Sequence, residues 1–380
     1  MMNKSYEETS WNSYKTGKLC KGCEQCVQGK KLVLFITGLC PRKCFYCPIS
    51  SEKYAHDEIY ANEWKIKNPK KPEELFEEAK MTGAKGAGIT GGDPLIKITR
   101  TCEYIKQLKK KLGKNFHIHL YTSLDLVTEE KLKKLYKAGL DEIRFHPDLE
   151  NDKNWKKIEL AKKFSWKTGV EIPVIPGKQK QTEKLINFLK NKIHFLNLNE
   201  LELSDTDTNH YDMTKYKRKN NTSYGVKGSQ ELALKLLKKC SQLKMNAHYC
   251  TAKLKNQVQV GERLKRRAKN TKLETDELTN EYLLMRGAIY IRGHEPGFKY
   301  EQGKNQEQKT KQLTKIKKEL ITKKIFKEKE LTIDKERNRL ITHYELIQKK
   351  AKELKKLNLV PAITEEYPSS DYFCVELEFL

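Results

Sequence analysis

A chain of 380 residues with 37% hydrophobic and 33% charged content has room for one large α/β domain and a smaller appendage. Mean hydropathy is −0.79, and no run approaches the roughly 18 apolar residues of a bilayer span, which excludes a transmembrane helix. The formal net charge of +26 points to an acidic partner such as RNA, although Lys spread over many helices also fits a genome-wide codon bias.

The opening Met1–Glu8 has no apolar segment, so no secretory signal is expected. Six of the ten cysteines fall within the first 47 residues. In a reducing compartment such spacing reads as metal ligation rather than disulfides, and a cytoplasmic location is expected. Residues 1–30 form a Cys-rich extension containing Cys20-Lys21-Gly22-Cys23-Glu24-Gln25-Cys26. The spacing matches the start of a ferredoxin-type ligand run, but no fourth Cys follows three residues later. An auxiliary iron–sulfur cluster at Cys20, Cys23 and Cys26, a zinc knuckle, and no metal all stay open. Either metal needs a fourth ligand from elsewhere, and His248-Tyr249-Cys250 is the most suggestive source.

Residues 31–250 read as a run of strands and helices. The strand Leu32–Thr37 is apolar throughout, as suits a parallel strand buried on both faces. It leads into Cys40-Pro41-Arg42-Lys43-Cys44-Phe45-Tyr46-Cys47, three thiols within eight residues. Such a loop can wrap one iron–sulfur cluster, and three ligands on a four-iron cubane leave one iron open for chemistry. After an aperiodic excursion (48–70), Pro72 opens a helix with acids in its first turn. The second strand, Gly86–Thr90, ends in Gly91-Gly92-Asp93, and a helix spans about 97–112.

The third strand, Phe116–Ser123, alternates: Phe116, Ile118 and Leu120 oppose His117, His119, Tyr121 and Ser123. The fourth, Asp141–His146, sets Ile143 and Phe145 against Glu142, Arg144 and His146. With helices covering the aliphatic side, the polar sets should line an interior cavity. A helix near 154–167 leads to a fifth strand, Gly169–Gly177, and a helix near 181–192 to a sixth, Phe195–Leu203. The alternation slips near Glu200, as at a bulge, so which of Asn197, Asn199, Glu200 and Glu202 faces inward stays open. Met245–Cys250 reads as a short strand or strap. Six parallel strands with intervening helices define an α/β layer fold whose ligands gather at the strands' carboxyl ends. Cys40–Cys47, Gly91–Asp93, Ser123 and His146 all fall there.

Residues 251–300 form a basic helical extension in which Val258–Lys269 is either an RNA-contacting helix or a solvated face. Residues 301–312 have linker composition, and 313–380 read as a small α+β region. No Walker A, HExxH or Gly-x-Ser-x-Gly motif is present.

The Cys40–Cys47 triplet, with Tyr46 before its last Cys, resembles the signature of the radical S-adenosylmethionine (SAM) superfamily. Thr90-Gly91-Gly92-Asp93-Pro94 resembles that superfamily's Gly-Gly-Glu-Pro motif, with Asp in place of the commoner Glu. The chain also resembles an archaeal group related to pyruvate formate-lyase activating enzymes. The resemblance implies a partial (β/α)6 radical SAM barrel, with the Cys-rich extension before it and the α+β appendage after it. It implies a 4Fe–4S cluster on Cys40, Cys44 and Cys47, with SAM chelating the open iron. One-electron cleavage of SAM to methionine and a 5′-deoxyadenosyl radical would follow, fed by a ferredoxin or flavodoxin. Tyr46 would lie against the adenine, and Gly91 and Gly92 would let main chain approach the SAM amino group, with Asp93 adding a carboxylate. Ser123, Arg144 and His146 are candidates for the SAM carboxylate or ribose, Arg through its planar fork. Charge and the second cysteine set favour RNA or tRNA as substrate. The alternative is a protein- or peptide-directed enzyme, either a glycyl-radical activase or a peptide modifier. A non-catalytic iron–sulfur protein and a small-molecule enzyme are the remaining readings.

Overall fold

A computed structural model describes residues 5–296 and 306–380. Seven strands lie parallel and in chain order: β1 (Lys31–Phe35), β2 (Gly86–Thr90), β3 (His117–Ser123), β4 (Glu142–His146), β5 (Lys167–Val174), β6 (Phe195–Glu200) and β7 (Ala247–Cys250). The segment left as strand or strap is thus a seventh parallel strand beyond the six anticipated. Both edges are covered by antiparallel hairpins, Tyr60–Ala61 with Trp64–Lys65 beside β1 and Glu7–Glu8 with Tyr14–Thr16 beside β7. Such cover removes the unpaired ladder groups that a bare edge would expose.

The alternation on β3 and β4 sorts the two faces as expected. Ile118, Leu120, Ile143 and Phe145 join Val170, Ile172, Leu196, Leu198 and Tyr249 in one core with helix residues such as Ile105, Leu135 and Leu236. The opposite face carries His119, Glu142, Arg144, Asn197 and His248, all buried although polar. The slip on β6 is a strand end rather than a bulge. Asn197 and Asn199 both point inward, donating to the two Glu171 carboxylate oxygens at 2.8 and 2.9 Å, and the strand stops at Glu200.

The helix expected near 154–167 is shorter, and it is a 3-10 helix, Trp155–Lys163. Its buried residues Trp155, Ile158 and Ala161 recur every third position, so a three-residue turn keeps all of them on the sheet side.

The chain divides into two compact units, Met1–Arg263 and Leu264–Leu380. In the second, the strand Leu284–Ile291, not anticipated from sequence, lies between Arg339–Thr342 and Leu359–Glu366 in an antiparallel sheet. The helix Tyr344–Lys356 buries Ile347 and Leu354 in that unit's core. Of the linker expected at 301–312, residues 301–305 lie outside the described residues, and a helix begins at Gln306. No helix among the described residues is long and apolar enough to cross a membrane.

Candidate active site

The site begins where β1 runs out. Thr37 donates to Asp57, whose carboxylate also holds Arg100 at 2.7 and 3.1 Å, and Arg100 reaches the Ile36 carbonyl at 3.1 Å. The chain end is therefore pinned before the cysteines start. The Gly91-Gly92 turn packs straight onto this exit: Gly92 N donates to Thr37 O at 2.7 Å and Asp93 N to Leu39 O at 2.8 Å. A Cβ on Gly91 (φ +143°) would sit 2.4 Å from Thr37 O, and one on Gly92 2.2 Å from Leu39 O. The glycines thus bring two loops together, and both also line the cavity described below.

Asp93 corrects the expectation drawn for it. Its side chain is fully buried. One carboxylate oxygen accepts from Leu95 N (3.0 Å) and Thr122 Oγ1 (2.8 Å), the other from Ser123 N (3.1 Å) and Ser123 Oγ (2.7 Å). It is a bolt between the glycine turn and the end of β3, with no face left for a cofactor. Ser123 is the other half of that bolt, although it does border the cavity.

Cys40, Cys44 and Cys47 are free, half-buried thiols on one cavity of about 910 Å³. Gly91, Gly92, Tyr46, Ser123 and His146 share its wall. The three motifs therefore meet at one end of the barrel. Burial pushes the Cys40 thiol up to about 11, with neighbouring Asp93, Cys44 and Cys47 adding to the rise. Bare thiols here stay protonated, and a bound metal is what would ionise them. Tyr46 shares a 2.8 Å hydrogen bond with His146 Nε2, while His146 Nδ1 lies 2.9 Å from the Glu171 carbonyl. A carbonyl only accepts, so Nδ1 carries the proton and Nε2 accepts from the Tyr46 hydroxyl. Burial lowers the His146 pKa to about 4, in keeping with a neutral ring.

Arg144 is also corrected. It is buried and fully engaged away from that rim: Nε donates to Glu142 (2.7 Å), Nη1 to Tyr121 (2.9 Å) and Glu171 (2.8 Å), and Nη2 faces Cys20 Sγ at 3.3 Å. The helix α1 (Lys21–Cys26), which Cys20 caps, runs against the inner face, where Gly22 N donates to Glu142 at 3.2 Å. Cys20, Cys23 and Cys26 thus occupy the barrel interior, and Cys26 forms part of the floor of the same cavity.

Several site residues escaped the sequence reading. Glu171 lies between Val170 and Ile172, and the period-two pattern that sorted β3 and β4 would have turned it inward. Arg42, inside the cysteine loop, donates to the His146 carbonyl at 3.0 Å and pairs with Asp148 at 3.1 Å. Its charge lies near Cys44 and would offset ionised sulfur. Lys31 reaches inward to the His117 ring at 2.9 Å, hidden from sequence by its place in an apolar strand.

Among the described residues no three His, Cys, Asp or Glu side chains are drawn together tightly enough for a single metal ion. A zinc ion bound at ~2.3 Å would hold its sulfurs about 3.8 Å apart. A four-iron cubane spreads its thiolates wider, which a loop carrying three half-buried thiols beside an open cavity suits.

A parallel-stranded partial barrel with a three-thiol loop facing a glycine turn defines an enzyme of the SAM-dependent iron–sulfur class. The chain belongs to the radical SAM superfamily, whose model matches residues 34–189. The family works with a 4Fe–4S cluster and SAM. A relative from Methanocaldococcus jannaschii, provisionally named a glycyl-radical enzyme activating enzyme, is 41% identical over 281 residues, covering 72% of this chain and 74% of its own. Solved structures superpose loosely and bear no weight beyond that. Streptococcus suis SuiB bound to precursor peptide SuiA gives a TM-score of 0.42 at 15% identity, over 58% of this chain and 48% of SuiB. The FeFe-hydrogenase maturase HydG gives 0.41 at 13%, over 66% and 65%.

Proposed function

We propose that this radical SAM enzyme acts on protein, removing one hydrogen atom from the Cα of a glycine in a partner enzyme. The observation that carries this reading is the 41% identity to a relative named for that activity. It replaces RNA as the substrate class, which rested on net charge and on the second cysteine set.

In this reading Cys40, Cys44 and Cys47 would hold the cluster through ionised sulfur, and the cavity beside them would take SAM. When bound, the cluster and SAM supply a one-electron cleavage of the sulfonium, with the electron coming from an external donor of ferredoxin or flavodoxin type. Arg42 offsets the negative charge of the thiolates from its seat on Asp148. Gly91 and Gly92 present main chain without side-chain obstruction, and the Asp93–Ser123 bolt keeps that turn in register with the cysteine loop. Tyr46, held by neutral His146, forms a wall on which an adenine can rest. Leu203, Ser204 and Thr206 border the same cavity and are residues that a partner's glycine loop would meet.

The test is anaerobic incubation of the reconstituted enzyme with reductant, SAM and the proteome of its source organism. The expected result is 5′-deoxyadenosine, a glycyl-radical doublet by electron paramagnetic resonance, and cleavage of one protein at a glycine on admitting air. Deoxyadenosine formed only when RNA is added, with a new modified nucleoside, overturns the reading.

A further inference from the structure

Cys102 and Cys240 show how an inert thiol is housed here: both lie in the apolar layer between sheet and helices. The thiols of α1 are housed differently. The buried Arg144 guanidinium donates to Cys20 Sγ at 3.3 Å and reaches Cys23 Sγ at 3.7 Å, and Asn197 Nδ2 donates to Cys23 Sγ at 3.3 Å. A neutral thiol is only a weak acceptor, so buried donors turned onto sulfur suit sulfur that carries negative charge. Donors of that kind also tune the sulfurs of an iron–sulfur cluster.

The fourth corner comes from β7. Ala247 and Tyr249 pack outward with the helix layer, so His248 and Cys250 face inward, in line with their register partners Asn197 and Asn199. Cys250 packs against Val27, the residue that follows Cys26. His119 Nδ1 is buried without a hydrogen-bond partner, and His248, whose Nε2 lies 3.0 Å from Ser13 Oγ, borders Cys23. Gly22 is what lets α1 press onto that polar face, since a Cβ there would lie 2.2 Å from Arg144 Nη2 and 2.8 Å from His119 Nδ1.

We propose that Cys20, Cys23, Cys26 and Cys250 bind a second four-iron cluster inside the barrel. Four thiolates close all four irons, so this cluster has no position for SAM. It serves as a one-electron reservoir, with Cys26 on the floor of the cavity that Cys40, Cys44 and Cys47 border. The proposal does not rest on the nature of the substrate and survives if the glycine reading fails.

The test uses the full chain with Cys40→Ala, Cys44→Ala and Cys47→Ala together, reconstituted anaerobically with iron and sulfide. The variant is expected to keep about four irons of the parent's eight or so, with the visible sulfur-to-iron absorbance of a cubane. Adding Cys20→Ser and Cys23→Ser should remove the rest. A triple variant with the parent's far-UV circular dichroism but no iron, or with one zinc, overturns the proposal. If the triple variant misfolds, Cys250→Ser in the otherwise unchanged chain decides. After dithionite reduction one of two paramagnetic signals should change in g-values while the other persists. Two unchanged signals, or a single signal in the parent, overturn the assignment.

Discussion

The two cysteine triplets use the same side chain at nearly the same spacing and end in opposite surroundings. Cys40, Cys44 and Cys47 sit in an irregular loop beside a cavity, with the Arg42 charge near Cys44. Cys20, Cys23 and Cys26 sit on a short helix inside the barrel, pressed against Arg144, Glu142 and Asn197. The first arrangement leaves a side open for a ligand, while the second surrounds its sulfurs with protein donors. Ligand spacing thus does not tell the two triplets apart, and their surroundings do.

The sharpest break between the triplets is activity. Replacing Cys40, Cys44 or Cys47 singly by Ala should lower 5′-deoxyadenosine formation by more than about a hundredfold, since even outer partners of a metal are worth 10–100-fold. Replacing Cys20 should leave SAM cleavage measurable in a chromatographic assay. Equal loss from both sets would erase the distinction.

Next in size is the charge beneath the second triplet. Arg144→Met leaves Glu142 and Glu171 facing each other without their cation, at a cost of about 3–5 kcal/mol. Urea denaturation of the metal-free chain should show it, and the corresponding Arg42→Met change, on a half-exposed partner, should cost far less.

Asp93→Glu tests whether the motif acid serves the fold or the cofactor. In a fully buried seat with four hydrogen bonds, one more methylene should cost about 1–3 kcal/mol of stability and lower turnover. Higher turnover with the family's commoner Glu would show that the acid reaches the cofactor after all.

The last comparison is a pH slope. Burial, with Lys31 beside it, lowers the His117 pKa to about 3. The unfolded chain takes up this proton near pH 6.5 and the folded chain does not, so protons favour unfolding below that pH. Stability should fall by about 1.4 kcal/mol per pH unit for this residue as pH drops from 6.5 toward 3. His117→Asn should flatten the slope between pH 6.5 and 5, before most carboxylates titrate.

Much of the barrel was legible beforehand. Alternation on β3 and β4 placed Ile118 and Phe145 in the core and His119 and Arg144 inside, because side chains on a strand leave its two faces in turn. The same rule, applied to Val170-Glu171-Ile172, would have added Glu171. It failed on β6, where the strand stops at Glu200 and the later leucines belong to a different segment. The rim convergence of Cys40–Cys47 and Gly91–Gly92 also followed from parallel order. Roles within the rim did not. Asp93 and Arg144 carried the right charge in the right stretch, yet each is consumed by partners about 30 residues or more away in sequence, Ser123 for one and the sulfur of Cys20 for the other.

By itself the sequence determined which strands exist, which way they face and where three thiols gather, since spacing and period are properties of neighbours along the chain. Only the tertiary structure decided which polar groups are spent on one another and which are left for a ligand. Hydrogen-bond capacity inside a barrel is shared among strands far apart in the chain, and a donor already paired there has nothing left to offer.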